Sequence, residues 1–158
     1  MDAEEHYLEQ FKLKRLIKKL KNADGNGTSL ISLVIPANKK ISDFSQMLTD
    51  EMGKAEQIKD RQNRQSVITA LVSAKEILKN YKGNTRNGLC VYCGNVQLPK
   101  TNTVKKLKIC FEPFIKITAK LYNCGDHFDT TPLERLVESN ESYGFVIVDG
   151  NGCLMAKI

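Results

Sequence analysis

The segment Lys54-Ala55-Glu56-Gln57-Ile58-Lys59-Asp60-Arg61 separates two stretches of helical periodicity and decides how the middle of the chain folds. Before it, apolar residues recur on one helical face at Ile41, Phe44, Leu48, Met52 and Ala55, with Ser42 or Asp43 placed to cap the helix. After it, a longer stripe contains Val67, Ala70, Leu71, Ala74, Ile77, Leu78 and Tyr81. Two helices joined by a few residues usually form an antiparallel hairpin, so we predict that residues 54–60 lie at its exposed tip. The pattern also permits one continuous helix through Gly53.

The flanking patterns predict an α+β fold, in which a central, mainly antiparallel sheet is packed by helices and the helix hairpin protrudes. A first helix over residues 2–21 presents Leu13, Leu16, Ile17 and Leu20 on one face, whereas Leu8 and Phe11 project to the other side, where they could cover something else. Strands are predicted over 30–35, 89–93, 104–111 and 121–124, a short helix over 132–139, and a hairpin over 143–149 and 153–158. Because the strands follow the helices in runs, alternating βαβ units are disfavoured.

Composition restricts the class of protein. A chain of 158 residues fits one domain, and a net charge of +6 is compatible with a polyanionic partner such as nucleic acid. Five cysteines without an apolar leader indicate reduced thiols in an intracellular protein, which is cytoplasmic or nuclear by default. The longest apolar runs are far too short to span a bilayer, so no membrane association is expected.

The patterns that could carry catalysis or metal binding are weak. Cys90 and Cys93 have the spacing of a zinc knuckle, but in a strand they would face opposite sides, and no second pair follows. Cys124 and His127 lack a third group to orient them as a nucleophile pair. The two Asp-Gly-Asn-Gly segments lack the later acidic ligand of a calcium loop. We therefore predict no catalytic residue, metal or cofactor.

The remaining polar residues cluster at the ends of elements and suit RNA. They are Thr28, Ser29, Glu51, the run from Gln57 to Asp60, Arg61, Arg64 and the run from Tyr122 to Phe128. Single-stranded RNA is recognised by aromatic stacking, by side chains that bond base edges and by cations on phosphates. These residues supply all three, although the pattern by itself would also fit a generic basic module that binds RNA or protein.

Several motifs together make the chain resemble the N-terminal domain of eukaryotic and archaeal class I peptide chain release factors, which read stop codons. The motifs are Gly27-Thr28-Ser29 before the apolar strand, Asp50-Glu51-Met52-Gly53-Lys54-Ala55, Ile58-Lys59-Asp60-Arg61-Gln62-Asn63-Arg64, Tyr122-Asn123-Cys124-Gly125-Asp126-His127-Phe128, and Tyr143-Gly144-Phe145 through Asp149-Gly150. The resemblance runs along nearly the whole chain.

The resemblance implies a role for each candidate residue. Gln57, Ile58, Lys59 and Asp60 match the family's Asn-Ile-Lys-Ser tip, and Tyr122, Cys124 and Phe128 match its Tyr-x-Cys-x-x-x-Phe signature. By this resemblance, Gln57 and Lys59 would contact the first-position uridine, and Glu51, Tyr122, Cys124 and Thr28, with Ser29 beside it, would surround the two purines. Arg61 and Arg64 would bind mRNA or ribosomal RNA phosphate.

The tip departs from the family signature at two of its four positions. Gln57 lengthens the amide side chain by one methylene, and Asp60 puts a carboxylate beside Lys59. We hypothesise that the protein reads a restricted set of stop codons, such as UGA alone, in an organism with a reassigned genetic code.

The resemblance also implies that this chain is part of a longer factor. The family hydrolyses peptidyl-tRNA with a Gly-Gly-Gln tip in a middle domain and binds a translational GTPase mainly through a C-terminal region, and this chain contains no Gly-Gly pair. We expect one non-enzymatic stop-codon-recognition domain over residues 1–158, which binds the mRNA stop codon and small-subunit ribosomal RNA in the A site. The alternative is the N-terminal domain of a related ribosome-rescue factor, which gives no reason for the tip and Tyr122/Cys124/Phe128 motifs.

Overall fold

Four strands form one antiparallel sheet with strand β1 inside it. The computed structural model describes residues 2–25, 27, 29–97, 101, 103–138 and 144–157. The helices are α1 (Ala3–Lys21), α2 (Ile41–Ala55), α3 (Arg61–Leu78) and α4 (Thr131–Val137). The strands are β1 (Leu30–Ile35), β2 (Leu89–Gln97), β3 (Val104–Phe111), β4 (Leu121–Gly125), β5 (Gly144–Asp149) and β6 (Gly152–Lys157). The main sheet has the order β3-β2-β1-β4, and β5 pairs with β6 in a separate hairpin.

Strand β1 is buried along its whole length, as its continuous apolar run predicts. It pairs antiparallel with β2 on one side and with β4 on the other, so Leu33 lies between Val91 and Tyr122. Strand β2 continues four residues beyond the predicted end at Cys93, because β3 pairs with it as far as Gln97. The predicted α+β sheet-and-helix architecture is confirmed.

The sheet separates two apolar clusters, one on each face. Alternate residues of β1 and β2 pack with α2 and α3 in the first cluster, and the intervening residues pack with α1 and α4 in the second. Cys93 belongs to the first cluster and Cys90 to the second. The two thiols therefore face opposite sides of the sheet, as predicted, and do not form a metal knuckle.

The helix boundaries follow local chemistry, with one correction. Asp2 caps α1, its carboxylate accepting from the Glu5 backbone N–H at 2.8 Å. The prediction that Ser42 or Asp43 caps α2 is wrong: the helix already begins at Ile41, and Lys40 occupies the cap position without a side-chain bond. The cause is tertiary, because the Ile41 N–H donates to the Gly83 carbonyl and thereby fixes the helix start one residue earlier.

Two apolar surfaces remain exposed in the described part of the chain. Leu8 and Phe11 of α1 are more than half exposed, so the suggestion that they cover another element does not hold there. The β5–β6 hairpin exposes apolar side chains on both strands, including Val148 and Met155. None of the described helices has the length and hydropathy needed to cross a membrane.

Candidate nucleic-acid interface

The segment between α2 and α3 forms a tight, protruding turn. Helix α2 ends as the N–H groups of Gln57 and Ile58 bond carbonyls three residues earlier, at 3.1 Å each. Asp60 then starts α3: its backbone is extended, and its carboxylate accepts from the Asn63 N–H at 2.6 Å. The chain is therefore broken at residues 56–60 into an antiparallel hairpin, and the continuous-helix alternative is excluded.

Two residues hold this turn to the body of the hairpin. Ile58 is half-buried against the apolar cluster between the sheet and the two helices. The half-buried Arg64 donates from Nη1 to the Ile58 carbonyl oxygen at 2.9 Å. Arg64, predicted to bind RNA phosphate, therefore has a structural bond within the tip.

The polar side chains of the tip are exposed to solvent. Gln57, Lys59 and Asp60 are exposed, and neither Gln57 nor Lys59 has a side-chain partner within the described residues. An amide and an ammonium at a protruding, fixed turn can bind base edges without first breaking internal bonds. The turn supplies rigidity and the side chains supply the free donors.

A cleft of about 480 Å³ lies beside the tip, between the helix hairpin and β4. Its lining includes the predicted residues Glu51, Ile58, Tyr122 and Cys124, together with Lys54, Ala55, Val67 and Asn123. Strand β4 places Tyr122 and Cys124 on one face by its alternation, and α2 places Glu51 opposite them. The structure thus joins residues separated by about 70 positions in the sequence into one site.

The charged groups of the cleft form one ion pair. The Lys54 ammonium lies 2.6 Å from Glu51 Oε1, and this hydrogen bond raises the lysine pKa. The other Glu51 oxygen, Oε2, has no partner among the described residues. Glu51 can therefore accept from a base amine while Lys54 holds its position.

The uncharged groups of the cleft retain their protons. Burial is the main reason that the pKa of Tyr122 is raised, with contributions from Cys124 and Glu51. Burial also raises the pKa of Cys124, although its hydrogen bond with Ser29 acts in the opposite direction. At neutral pH the cleft therefore offers a phenol and a thiol as neutral donors beside one carboxylate.

The entrance of β1 is fixed next to this cleft. Ser29 is buried, and its backbone N–H donates to the Ser66 hydroxyl on α3 at 2.7 Å. Gly94 allows the approach from the other side, because a Cβ there would lie 2.7 Å from the Ser29 carbonyl oxygen. Ser29 therefore supports the cleft from behind rather than facing solvent. Thr28, the other predicted hydroxyl, lies outside the described residues.

Phe128 lies apart from the cleft. It is buried in the cluster on the opposite face of the sheet, where its ring meets Tyr92 edge to face at 5.6 Å. Two side-chain hydroxyls hold the backbone of the neighbouring Asp129. Its N–H donates to the Ser32 hydroxyl, and its carbonyl accepts from the Tyr92 hydroxyl. This geometry gives Phe128 a packing function, because the segment that follows β4 is fixed to the sheet through it.

Arg61 lies on the other side of α3. With Gln62, Gln65, Ser66, Thr69 and Asn95 it lines an open groove of about 610 Å³. Arg61 is exposed and has no ion-pair partner among the described residues. The tip therefore separates a partly apolar cleft, whose two charged groups form an ion pair, from a polar groove whose cation, Arg61, is free to bind a phosphate.

Sequence reasoning assigned no individual role to three residues of this site. Lys54 could have been found, because its spacing of three from Glu51 on a helix is that of an ion pair. Asn123 lines the cleft although its position in β4 alternates with those of Tyr122 and Cys124. Ser66 could not have been found, because its bond to Ser29 joins residues 37 positions apart.

Comparisons with known proteins identify the family to which the chain belongs. The family model described as eRF1 domain 1 matches residues 8–138. Eukaryotic peptide chain release factor subunit 1 of Stylonychia lemnae is 47% identical over 152 residues, which cover 96% of this chain and 34% of that protein. The protein of the same name in Tetrahymena thermophila is 43% identical over 157 residues, covering 99% of this chain and 36% of the relative.

Solved structures show the same fold. An archaeal translation termination factor, aRF1, superposes with a TM-score of 0.72 at 30% identity, covering 94% of this chain and 41% of that structure. A second archaeal protein gives a TM-score of 0.75 at 31% identity. The chain spans about a third of the length of the curated relatives it matches. By the extent of these matches, the chain belongs to the family of N-terminal domains of eukaryotic class I peptide chain release factors.

Proposed function

We propose that this domain decodes stop codons in the ribosomal A site of cytoplasmic ribosomes by direct contact with the mRNA bases. The observation that carries the proposal is the junction of two features: a fixed tip with free Gln57 and Lys59 side chains, and a cleft beside it that contains Glu51, Tyr122 and Cys124. The tip would bind the first-position uridine, and the cleft would receive the purines that follow.

The chemistry of the cleft suits purines better than pyrimidine carbonyls. The Glu51 carboxylate accepts hydrogen bonds, so it favours the exocyclic amines of adenine N6 and guanine N2 and repels guanine O6. Tyr122 adds an aromatic surface for stacking together with a protonated hydroxyl. The uridine, which carries two carbonyl acceptors and one N–H, suits the ammonium and amide of the tip.

The proposed codon set is restricted, with UGA as the specific candidate. The departures at Gln57 and Asp60 change the reach of one side chain and the charge near another at the positions proposed to touch the codon. Arg61 and Arg64 are proposed to approach mRNA or ribosomal RNA backbone, Arg61 with its whole guanidinium and Arg64 with the donors that its bond to Ile58 leaves free.

Release assays test both parts of the proposal, which are the decoding of stop codons and the restriction to UGA. The domain is fused to the remainder of an intact factor, which supplies the Gly-Gly-Gln tip and the GTPase-binding region, and release is measured on ribosomes with UAA, UAG or UGA in the A site. Release only at stop codons supports decoding, and preference for UGA supports the restricted set. Equal rates on all three codons would reject the restriction, and release at sense codons would reject decoding.

Two substitutions separate decoding from stability. Lys59→Ala and Tyr122→Phe should each reduce codon-dependent release by about tenfold or more, since one good base contact contributes about 1–3 kcal/mol of discrimination. The thermal midpoint should not change, because neither the Lys59 ammonium nor the Tyr122 hydroxyl bonds another described residue. A loss of stability with codon dependence intact would make both residues structural and favour a generic basic module.

A further inference from the structure

A second concave surface lies at the base of the helix hairpin, at the end away from the tip. It is an open groove of about 670 Å³ between the start of α2, the end of α3 and the loop after α3. Four lysines line it, at Lys40, Lys75, Lys79 and Lys82, together with the polar side chains Ser42, Ser45, Gln46, Thr49 and Asn84. No carboxylate is among its lining residues.

The positive charge of this lysine groove is not neutralised. None of the four lysines forms an ion pair with another described residue. Lys75 is positioned by the Thr49 hydroxyl, 2.8 Å from its Nζ, and Lys79 lies one helical turn further along the same face. Asp43, beside Ser42 in sequence, is outside the lining. Four cations in a concave surface without a counter-charge concentrate positive potential.

The backbone adds to this potential and fixes the shape of the groove. Helix α2 begins there without a capping side chain, and Asp43 in its first turn offsets part of the positive charge of its N-terminus. The loop after α3 is bonded to that helix start: Ile41 N–H donates to the Gly83 carbonyl at 3.2 Å, and Lys40 and Asn84 form a β-bridge. The groove is formed in the free protein and does not need to assemble around a ligand.

We propose that the lysine groove binds the phosphate backbone of RNA, independently of base sequence. This inference rests on the proposed function in one respect, which is the choice of RNA as the polyanion. A domain whose tip enters a codon site is surrounded by RNA. With about 1.5 Å per residue, the 15 residues of α2 place the groove roughly 20 Å from the tip. The groove would therefore engage a different RNA segment from the codon.

The lining favours RNA over an acidic protein. Protein partners gain most of their affinity from a few large side chains, chiefly Trp, Tyr and Arg, that fill well-packed and desolvated pockets. Here the apolar contributors are Ile41, Leu78 and Tyr81, and the first two are buried in the core with exposed fractions of 3% and 2%. Phosphate binding needs only cations and hydroxyl or amide donors, and these make up the rest of the surface.

The test measures binding of this chain to a fluorescein-labelled RNA hairpin that contains no stop triplet, by anisotropy between 50 and 300 mM KCl. In the triple variant Lys75→Gln/Lys79→Gln/Lys82→Gln, affinity at 100 mM should fall by about tenfold or more. The slope of log K against log salt should decrease by about two units, since each neutralised phosphate contributes roughly 0.7–0.9. Thermal unfolding of the variant verifies that it folds.

A charge-matched control separates the groove from general basicity. The triple variant Lys14→Gln/Lys18→Gln/Lys19→Gln removes the same charge from α1, on the opposite side of the sheet. It should weaken binding by no more than about threefold, consistent with diffuse electrostatics alone. Equal losses in the two triple variants would overturn the proposal.

Two further measurements separate this proposal from an acidic protein partner and from the proposed codon-reading function. Binding of a fluorescein-labelled decaglutamate peptide with the same affinity and the same lysine dependence would reject RNA in favour of an acidic protein. If release assays reject codon reading while the hairpin result stands, the groove remains and the proposed function fails.

Discussion

Asp60 has two functions that the sequence alone does not separate. As one of the two departures from the family's tip signature it adds negative charge beside Lys59. In the structure its carboxylate is the N-cap of α3 and accepts from the Asn63 N–H. Aspartate and serine are about equally good N-caps, so exchange between them preserves the helix start and changes only charge. The tip can thus vary in electrostatics without losing its shape.

Substitutions at Asp60 should separate these functions. Asp60→Ala should lower the free energy of unfolding by about 1 kcal/mol, because the first-turn N–H loses its acceptor. Asp60→Ser should stay within about 0.5 kcal/mol of the original protein. Urea denaturation at neutral pH measures both. An Asp60→Ala variant as stable as Asp60→Ser would show that the cap bond contributes nothing.

Asp126 and His127 form an exposed pair in which each side chain should shift the pKa of the other. Their hydrogen bond and charges raise the pKa of His127 and lower that of Asp126. A raised histidine pKa stabilises the fold below the unfolded pKa and loses that contribution as pH rises through the folded pKa. A lowered aspartate pKa acts above the unfolded pKa and is lost as pH falls through the folded one. The ion pair is therefore fully formed from roughly pH 4 to 6.5.

Asp126→Asn should return the pKa of His127 toward its ordinary range. The measurement is an NMR titration of the imidazole carbon-bound protons in the original protein and the variant. The thermal midpoint should change little, because both side chains are exposed and solvent screens the pair. An unchanged histidine pKa in the variant would mean that the two side chains do not pair in solution.

At the scale of elements, the hairpin tip depends on Arg64 more than on Arg61. Arg64 is half-buried and bonds the Ile58 carbonyl, whereas Arg61 is exposed beside the polar groove. Arg64→Ala should cost about 1 kcal/mol of stability and increase amide exchange at residues 57–59, since the turn loses an anchor. Arg61→Ala, the matched control, should cost less than about 0.5 kcal/mol. Urea denaturation and hydrogen exchange measure these effects, and equal effects of the two substitutions would contradict the anchor.

The elements were predictable because their signals are local. The apolar stripe that ends at Ala55, the strand over residues 30–35 and the strand over residues 104–111 depend on residues close in sequence, and each was found where predicted. The start of α2 was mispredicted because Gly83, about 40 positions away, fixes it through a backbone bond.

The residue types of the candidate site were predictable from the sequence, but their arrangement in space was not. The residue types at Glu51 and Tyr122 suggested base contacts, but periodicity could not show that they share a cleft, nor that Phe128 packs on the other face. Motif membership identified Phe128 with the same strength as Cys124, although burial separates them. A sequence motif records that residues are needed together, whereas the fold decides which of them can reach a ligand.

At the scale of the whole molecule, one sheet connects the two ends of the protein's proposed RNA surface. Its first face holds the helix hairpin, whose tip and cleft form one end and whose lysine groove forms the other. Its second face, with α1 and α4, is filled by core packing that includes Phe128. The proposed recognition therefore lies on the hairpin face, whereas packing on the second face stabilises the sheet that includes β4, from which Tyr122 and Cys124 project.

Codon choice can be measured only in a complete factor. The two positions at which the tip departs from the family signature, Gln57 and Asp60, allow a direct test of whether the tip sets that choice. Because Asp60→Ser preserves the helix cap, Gln57→Asn/Asp60→Ser should restore the family's tip without unfolding it. In the fused factor, release at UAA and UAG should then rise by about tenfold or more relative to UGA, the equivalent of one base contact. Gln10→Asn, the same change of side chain in α1 on the opposite face of the sheet, should leave the codon ratios unchanged. If the double variant keeps the original codon ratios, the tip does not set the codon choice, and the cleft formed by Glu51, Tyr122 and Cys124 must do so.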